Sequence, residues 1–348
     1  MKIQISGICG FAGSQLAKEL VNQAWVSSIS GIDNLSRKGS WNNLKPLESI
    51  GVQVRHADIR SQADMQQLEP ADWFIDAAAI PTVLAGTHGD SRSLIEHNLL
   101  GTINSLEYCK RVGAGIILLS SSRVYSIDAL RSIPLVTRDS AFAVAAEADN
   151  HSSAGIVESF PTSSPVSLYG ASKLASEVLV NEYAETFQIP AWINRCGVIA
   201  GAGQFGKADQ GIFSFWLHSW REKRPLKYLG FDGTGYQTRD FLHARDLAQL
   251  VAQQLRHPAQ SNRTFHISGG QDSACSLNQL SSWCTERWGE RKIEAICETR
   301  QFDVPWLVLD SQQAIETFAW TPKIRLRQIF EETAEFADEH PNWLESVS

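Results

Sequence analysis

The sequence predicts an α/β fold, a parallel β-sheet with helices on both faces. Two observations predict it: short apolar runs alternate with stretches at helical spacing, and three spaced glycines follow the first apolar run. With 348 residues, 43% hydrophobic and 20% charged, the chain has material for one large domain and a smaller one.

The strand candidates come in order at "KIQIS" (2–6), "SISGI" (28–32), "VQVRHADI" (52–59), "WFIDAA" (73–78), "IILLSS" (116–121) and "AWINRC" (191–196). Between them lie helical spacings such as Leu16, Leu20 and Val21, then Leu94, Leu99, Ile103 and Leu106, then Leu174, Val178 and Tyr183. Crossovers between such strands are right-handed. Residues 126–167, rich in Ser, Ala and Pro, interrupt the rhythm and are long for a connection. They read as a partly ordered insertion or as a flap beside whatever follows. Beyond 196 the pattern loosens, and the glycine clusters "GAGQFG" (201–206) and "GFDGTG" (230–235) separate amphipathic pieces holding many of the 11 Trp. At these spacings the Trp side chains read as packing residues. The expected division is 1–193 with about 237–266 as the first domain, and 194–236 with 267–348 as a smaller second one.

A net charge of −7 without a basic cluster argues against a nucleic-acid surface. No apolar run approaches the ~20 residues that span a bilayer, and the first residues enter a strand at once, so the cytoplasm is the expected location. The six cysteines (Cys9, Cys109, Cys196, Cys275, Cys284 and Cys297) form no CxxC pair and read as free thiols. The nine histidines show no ligand spacing, so no metal is expected.

Gly7, Gly10 and Gly13 in "GICGFAG" stand between a strand and a helix. That placement suits a tight turn, close backbone approach to a pyrophosphate at the helix N-terminus, and helix–sheet packing, as in Rossmann-type dinucleotide sites. Asp33 lies 20 residues beyond Gly13 at the end of the second strand. A carboxylate there accepts from ribose hydroxyls and disfavours a 2′-phosphate, which points to NAD over NADP; Arg37 and Lys38 nearby weaken that preference. The competing reading of Asp33 is a turn residue in "IDNLS". Asp58, ending the third run, either touches the adenine or caps the next helix.

In "YGASK" (169–173), a phenol and an ammonium stand four residues apart, one above the other on a helix. A neighbouring ammonium favours the phenolate and so makes Tyr169 a candidate general base. The alternative is an ordinary surface pair.

Together "GICGFAG", Asp33, "SSSRVYS" (120–126) and "YGASK" resemble the extended short-chain dehydrogenase/reductases, which act mainly on nucleotide sugars. "HNLLGTINSLEYCK" (97–110), "GYQTRDFLHARDLA" (235–248) and "FHISGG" (265–270) fall in that family's order, so the resemblance spans nearly the whole chain. It implies a triad of Ser121, Tyr169 and Lys173: Tyr169 shuttling a proton, Lys173 lowering its pKa and holding the nicotinamide ribose, and Ser121 orienting the substrate. It also implies cofactor contacts at Phe11, Ala12, Asn34, Ile59, Ala77, Ala78, Ser120 and Arg195, beside the glycines, Asp33, Asp58, Tyr169 and Lys173. Asn98 sits near cofactor and substrate on the same reading, or caps a helix start.

Dehydratases of that family carry Asp-Glu directly after the Ser/Thr, whereas this chain has Ser122 and Arg123. The resemblance therefore favours epimerisation, in which a hydride leaves one face of the sugar carbon and returns to the other. "DNLSRKGS" (33–40), "NRCGVIAGAGQFGKADQGIF" (194–213) and the insertion before "PVSLYGASKLASE" (165–177) are similar to the CDP-paratose (CDP-tyvelose) 2-epimerase branch, which inverts C2 of a CDP-linked dideoxyhexose with bound NAD. The chain departs from many relatives after Arg195, where Val198–Gly203 replace an N-V-Y-G-P-R-like motif. Implied substrate contacts are Ser122, Arg123, Gln204, Asp209, Gln210, Arg239 and Arg300. Arg239 and Arg300 occupy phosphate-binding positions, and the donor fork of Arg239 suits a diphosphate; its alternative is a surface pair with Asp240. A homodimer packed through helices 94–110 and 171–185 is also implied. Two further readings stay open: a net dehydrogenase, reductase or 4-epimerase on another nucleotide sugar, and an idle NAD-binding sensor or scaffold, against which the intact triad argues.

Overall fold

The computed structural model describes residues 1–87, 89–208, 210–257 and 261–347. The first half runs β1 (Lys2–Ser6), α1 (Phe11–Leu20), β2 (Ser28–Asp33), α2 (Trp41–Ser49), β3 (Gln53–His56), α3 (Gln62–Gln66), β4 (Trp73–Asp76), α4 (Ser91–Ile95), a π-helical turn (Glu96–Leu100), α5 (Gly101–Val112) and β5 (Gly115–Ser121). The insertion adds α6 (Ile127–Arg131) and two hairpins, β6 (Leu135–Arg138) with β7 (Ala141–Val144) and β8 (His151–Ser152) with β9 (Gly155–Ile156). Then come α7 (Ser167–Phe187), β10 (Ala191–Cys196), β11 (Val198–Ala200), α8 (Ile212–Arg221), β12 (Lys227–Leu229), β13 (Thr238–His243), α9 (Ala244–Gln254) and β14 (Thr264–Ile267). The last part holds β15 (Ala274–Ser276), α10 (Leu277–Trp288), β16 (Glu294–Ile296), β17 (Trp306–Leu307), α11 (Gln312–Phe318), α12 (Leu326–Glu339) and α13 (Trp343–Val347).

Seven parallel strands form the central sheet in the order β14-β10-β5-β4-β1-β2-β3. The six expected strands are all in it; "VQVRHADI" contributes only Gln53–His56, because the chain turns at Asp58. The order reverses between β1 and β4, the switch point at which such sheets bind ligands beyond their strand ends. All but the edge strand β3 are buried on both faces, which explains their continuous apolar reading. A second sheet joins β11, β13 and β15, with β17 on β13, while α9 returns to pack against α1 beside the first sheet.

The insertion is ordered. Ile127, Leu130, Ile133, Val144, Ile156 and Phe160 close a core with Val304 and residues 306–309. Ile156 N–H donates to Val308 O at 2.9 Å, and Asp310 N–H donates to Ile156 O at 2.9 Å. These apolar side chains are scattered without period among small polar residues, so their partnership exists only in three dimensions. Among the Trp residues, Trp192, Trp216, Trp220 and Trp306 are buried, and Trp216 stacks on Tyr228. All six cysteines are free, and five are buried. No helix among the described residues is long and apolar enough to cross a membrane.

Phe160 is 3% exposed and meets Tyr125 edge-on. Truncating it leaves a cavity between the insertion and residues 304–309, so Phe160→Ala should lower stability by about 3 kcal/mol. Urea unfolding of the two proteins at one pH checks this through the shift in midpoint.

Candidate active site

The glycine turn, expected to hold the cofactor, is pressed tightly against its neighbours. Gly7 has φ +62°, a left-handed conformation that disfavours a side chain, and a Cβ there would lie 2.8 Å from Ala78 Cα. A Cβ on Gly13 would lie 2.3 Å from Gly7 O. The turn therefore presses against the end of β4, and α1 starts at Phe11 with no side chain capping its N-terminus. Ser6 Oγ donates to Asp76 Oδ1 at 2.8 Å and accepts from the N–H groups of Ala77 and Ala78, both at 3.1 Å. This ties the two strand ends at the switch point.

Asp33 closes the far wall. Its carboxylate accepts from Cys9 N–H at 3.0 Å and Leu35 N–H at 2.8 Å. Burial pushes its pKa up, and these backbone donors work against that. Asp58 is ion-paired with Arg60 at 2.7 Å and accepts from Asn34 Nδ2 at 3.2 Å; the hydrogen bonds and charge of Arg60 hold its carboxyl well below the usual range. The helix cap considered for Asp58 is supplied by Ser61 instead. Ile59 is buried against Gly101. Arg37 lies over the Phe205 ring, 5.1 Å from its centre.

Tyr169, Lys173 and Glu177 follow one another one turn apart on α7, which packs against β5 and β10. Tyr169 is buried, so it is no surface phenol, and burial raises its pKa. The hydroxyl of Ser121 and the charge of Arg123 favour the phenolate, whereas Cys196 opposes it. Lys173 is 2% exposed, and burial lowers its pKa against the pull of Asp76, Cys196 and Glu177. Among the described residues its ammonium donates no hydrogen bond. The helical spacing makes Lys173 the cation acting on Tyr169; in the structure the charge felt most directly at the phenol is that of Arg123.

Asn98 is not a helix-start cap. It lies in the π-helical turn, accepts from Ile80 N–H at 2.8 Å and donates to Ser172 Oγ at 3.1 Å. The cap of α4 is Asp90.

Arg195 and Ser120 sit beneath the cleft. Arg195 Nη2 pairs with Glu177 Oε2 at 2.7 Å, and its Nη1 donates to Tyr125 Oη at 2.9 Å and Glu158 O at 3.0 Å. Ser120 Oγ donates to Glu177 Oε1. Their side chains are thus taken up by Glu177 and the insertion.

On the substrate side, Arg239 is neither at the surface nor paired with Asp240. Its Nη1 donates to Thr238 O at 2.7 Å, and its Nη2 donates to Val304 O at 2.7 Å and Asp303 Oδ1 at 3.1 Å. Burial pushes its pKa down to about 10, helped by Arg123. Asp240 instead accepts from Ser268 Oγ and Leu309 N–H. Arg300 approaches the other oxygen of Asp303 at 3.9 Å and is more exposed than Arg239. Ser122 is buried and Arg123 half-buried. Gln204 Nε2 donates to Ile199 O at 2.6 Å, and its backbone oxygen accepts from Ser214 Oγ and Trp343 Nε1, so it shapes the loop. Gln210 exchanges backbone bonds with Lys207, and Asp209 lies outside the described residues.

The NAD dependent epimerase/dehydratase family matches over residues 3–268. The chain belongs to that family. It is 27% identical over 342 residues to the CDP-paratose 2-epimerase of Salmonella typhi, covering 93% of this chain and 95% of that one. It is 24% identical to the UDP-glucuronate 4-epimerase of Thermodesulfobacterium geofontis, over 99% and 98% of the two chains. Among solved structures, UDP-glucuronic acid 4-epimerase from Bacillus cereus, in complex with UDP-glucuronic acid and NAD, superposes with TM-score 0.80 at 23% identity, over 97% and 99% of the chains. The dTDP-glucose 4,6-dehydratase DesIV from Streptomyces venezuelae gives 0.83 at 21%, over the whole of both chains.

As a member of this epimerase/dehydratase family, the chain is an enzyme on nucleotide sugars with NAD as cofactor. The residues present fit NAD: a glycine turn with room only for backbone, a buried carboxylate at Asp33 and an ammonium at Lys173 without a protein acceptor among the described residues. Sequence reasoning missed Glu177, Asp76 and Asp303. Glu177 had a signal, since it continues the four-residue spacing of Tyr169 and Lys173; Asp303 had none, because it meets the arginines only through the tertiary fold. Gly13→Val should push the turn out of its cradle and remove bound NAD. The check is absorbance of nucleotide released on denaturing the purified variant, against one equivalent expected from wild type.

Proposed function

We propose that this enzyme inverts C2 of a CDP-linked deoxyhexose, a reaction of the CDP-paratose to CDP-tyvelose type, keeping its NAD bound through each cycle. The observation that carries the epimerase reading is the composition of the wall beside Tyr169. Ser121 is present to orient a hydroxyl, and the two following positions are Ser122 and Arg123, with no carboxylic acid and base to eliminate water. Similarity to the Salmonella typhi 2-epimerase over almost the full length of both chains supports the choice of sugar and carbon.

In this reading Tyr169, as phenolate, takes the proton of the C2 hydroxyl while Ser121 holds that oxygen. When bound, NAD supplies the acceptor and the returning donor for the hydride on C2. Lys173 holds the nicotinamide ribose and keeps positive charge near the phenolate. The keto sugar turns over, and Tyr169 gives the proton back to the oxygen on the opposite face. Gly7, Gly10, Phe11, Ala12 and Gly13 hold the pyrophosphate, Asp33 and Asn34 the adenosine ribose, and Asp58 and Ile59 the adenine. Ala77, Ala78 and Asn98 border the nicotinamide half, while Ser120 and Arg195 position α7 from below. Arg239 and Arg300 face the diphosphate, and Gln204 and Gln210 shape the loop over the sugar.

A homodimer through α5 and α7 belongs to the same reading. Leu100, Leu168, Val178 and Phe187 are large apolar side chains left exposed along these helices, with Val178 at 55%. Val178→Arg should convert a dimer into a monomer in light scattering; an unchanged mass would remove this face from the proposal.

Proton NMR of the purified protein with CDP-paratose and no added cofactor tests the reaction. Conversion of the C2 signal over many turnovers is expected. An unchanged spectrum from protein that still releases NAD on denaturation would reject this sugar and call for other nucleotide sugars. Tyr169→Phe should lose at least ~10²-fold of activity with NAD still bound; near-normal turnover would overturn its role.

A further inference from the structure

The turn Ser122–Val124 follows β5 and is pressed against the start of α7. A Cβ on Gly170 would lie 2.2 Å from Arg123 O, so this backbone abuts the residue after Tyr169. Arg123 N–H donates to Ser121 Oγ at 3.1 Å. These contacts hold Arg123 on the same wall as Ser121 and Tyr169. Its guanidinium, half-buried, makes no hydrogen bond or ion pair among the described residues. Its charge is felt by Tyr169, Asp303 and Arg300.

Arg239, the residue expected to clasp a diphosphate, differs. Three of its five N–H donors already go to Thr238 O, Val304 O and Asp303. Arg239 and Arg300 thus share Asp303, Asp240 also acts on Arg239, and Arg123 adds its charge nearby, so three cations face two carboxylates in a partly dehydrated place. Such an excess is unfavourable until an anion with matching oxygens arrives.

We propose that Arg123, on the wall it shares with Ser121 and Tyr169, binds the β-phosphate of the nucleotide sugar and thereby directs oxidation to the ring carbon next to the anomeric carbon. The inference rests on the nucleotide-sugar epimerase reading and deepens it. Only the glycosidic oxygen and the anomeric carbon separate a β-phosphate from C2, whereas C4 lies across the ring. A guanidinium beside the phenol, with donors in a rigid fork, spans a β-phosphate and a reacting C2 hydroxyl together. It cannot do so for C4. The same charge supports the phenolate. Around that phenol stand Ser121 from β5, Cys196 from the end of β10, Arg123 from the turn, and Lys173 one helical turn along α7.

Calorimetric titration of the holoenzyme with CDP and with CMP, which differ only in the β-phosphate, tests the contact; UDP and UMP are run in parallel. Arg123→Gln should weaken the diphosphate about tenfold and leave the monophosphate nearly unchanged, and Arg123→Lys should recover most of the loss. Equal losses for both nucleotides, or none, would overturn the contact. With whichever nucleotide sugar turns over, deuterium at C2 should slow kcat/KM and deuterium at C4 should not. The acidic limb of the kcat/KM profile should move to higher pH in Arg123→Gln, which a merely structural residue would not cause. An isotope effect at C4 sinks this proposal and the C2 assignment with it but leaves a nucleotide-sugar epimerase; failure of every nucleotide to bind sinks that reading as well.

Discussion

The buried pair of Glu177 and Arg195 holds the site in register. Glu177 follows Tyr169 and Lys173 on the same face of α7, and it gathers Ser120 from β5 and Arg195 from β10, both near the ends of their strands. Arg195 continues to Tyr125 and to the carbonyl of Glu158, and Tyr125 continues to His266 on β14. Two charges out of water are tolerable only when every partner is in place. A slip of α7 by one turn would strand Arg195, so the helix has one seat on the sheet. The distance from Tyr169 to Ser121 follows from that seat.

A second tie works from the opposite side of the switch point. Asp76, at the end of β4, accepts from Ser6 and from Thr102 Oγ1 at 2.8 Å each. Thr102 and Ser176 both donate to the carbonyl of Asn98, in the π-helical turn. The irregular turn thus lets one backbone oxygen join α5 to α7, and it aims the Asn98 side chain at Ile80 and Ser172. His266 keeps its ring neutral, with a pKa pushed down to about 3 by burial, because the network around Arg195 has no place for another cation.

The half that holds Arg239 and Arg300 follows a different logic. Its arginines are arranged around Asp303 with more positive than negative charge, a state suited to receiving an anionic ligand. The insertion braces this half, since Arg131 donates to Asp303 O at 2.7 Å and Thr238 Oγ1 to Phe142 O at 2.7 Å. The C-terminal helix adds a strap: Trp343 Nε1 donates to Gln204 O at 3.0 Å, and Val347 packs on Gly39. The loop after β2 and the loop after β11 are thereby held together, with Arg37 resting on Phe205 between them.

The parallel sheet, the glycine turn and the row of Tyr169 and Lys173 were legible in the chain alone. Each depends on short-range spacing: continuous apolar runs, period 3.6, or a turn that admits no Cβ. Ser121 also stands two residues before Arg123 in the chain, so the missing acid pair could be read directly. Which arginines are free emerges only from the fold. Arg195 and Arg239 look like ligand contacts in the chain, yet their donors meet Glu177 and Asp303, 18 residues back and 64 residues on. The order of 126–167 likewise comes from a core shared with residues more than 100 positions away. Partners this distant leave no periodic trace, and whether a polar side chain reaches ligand or protein depends on which of them the fold brings within hydrogen-bonding distance.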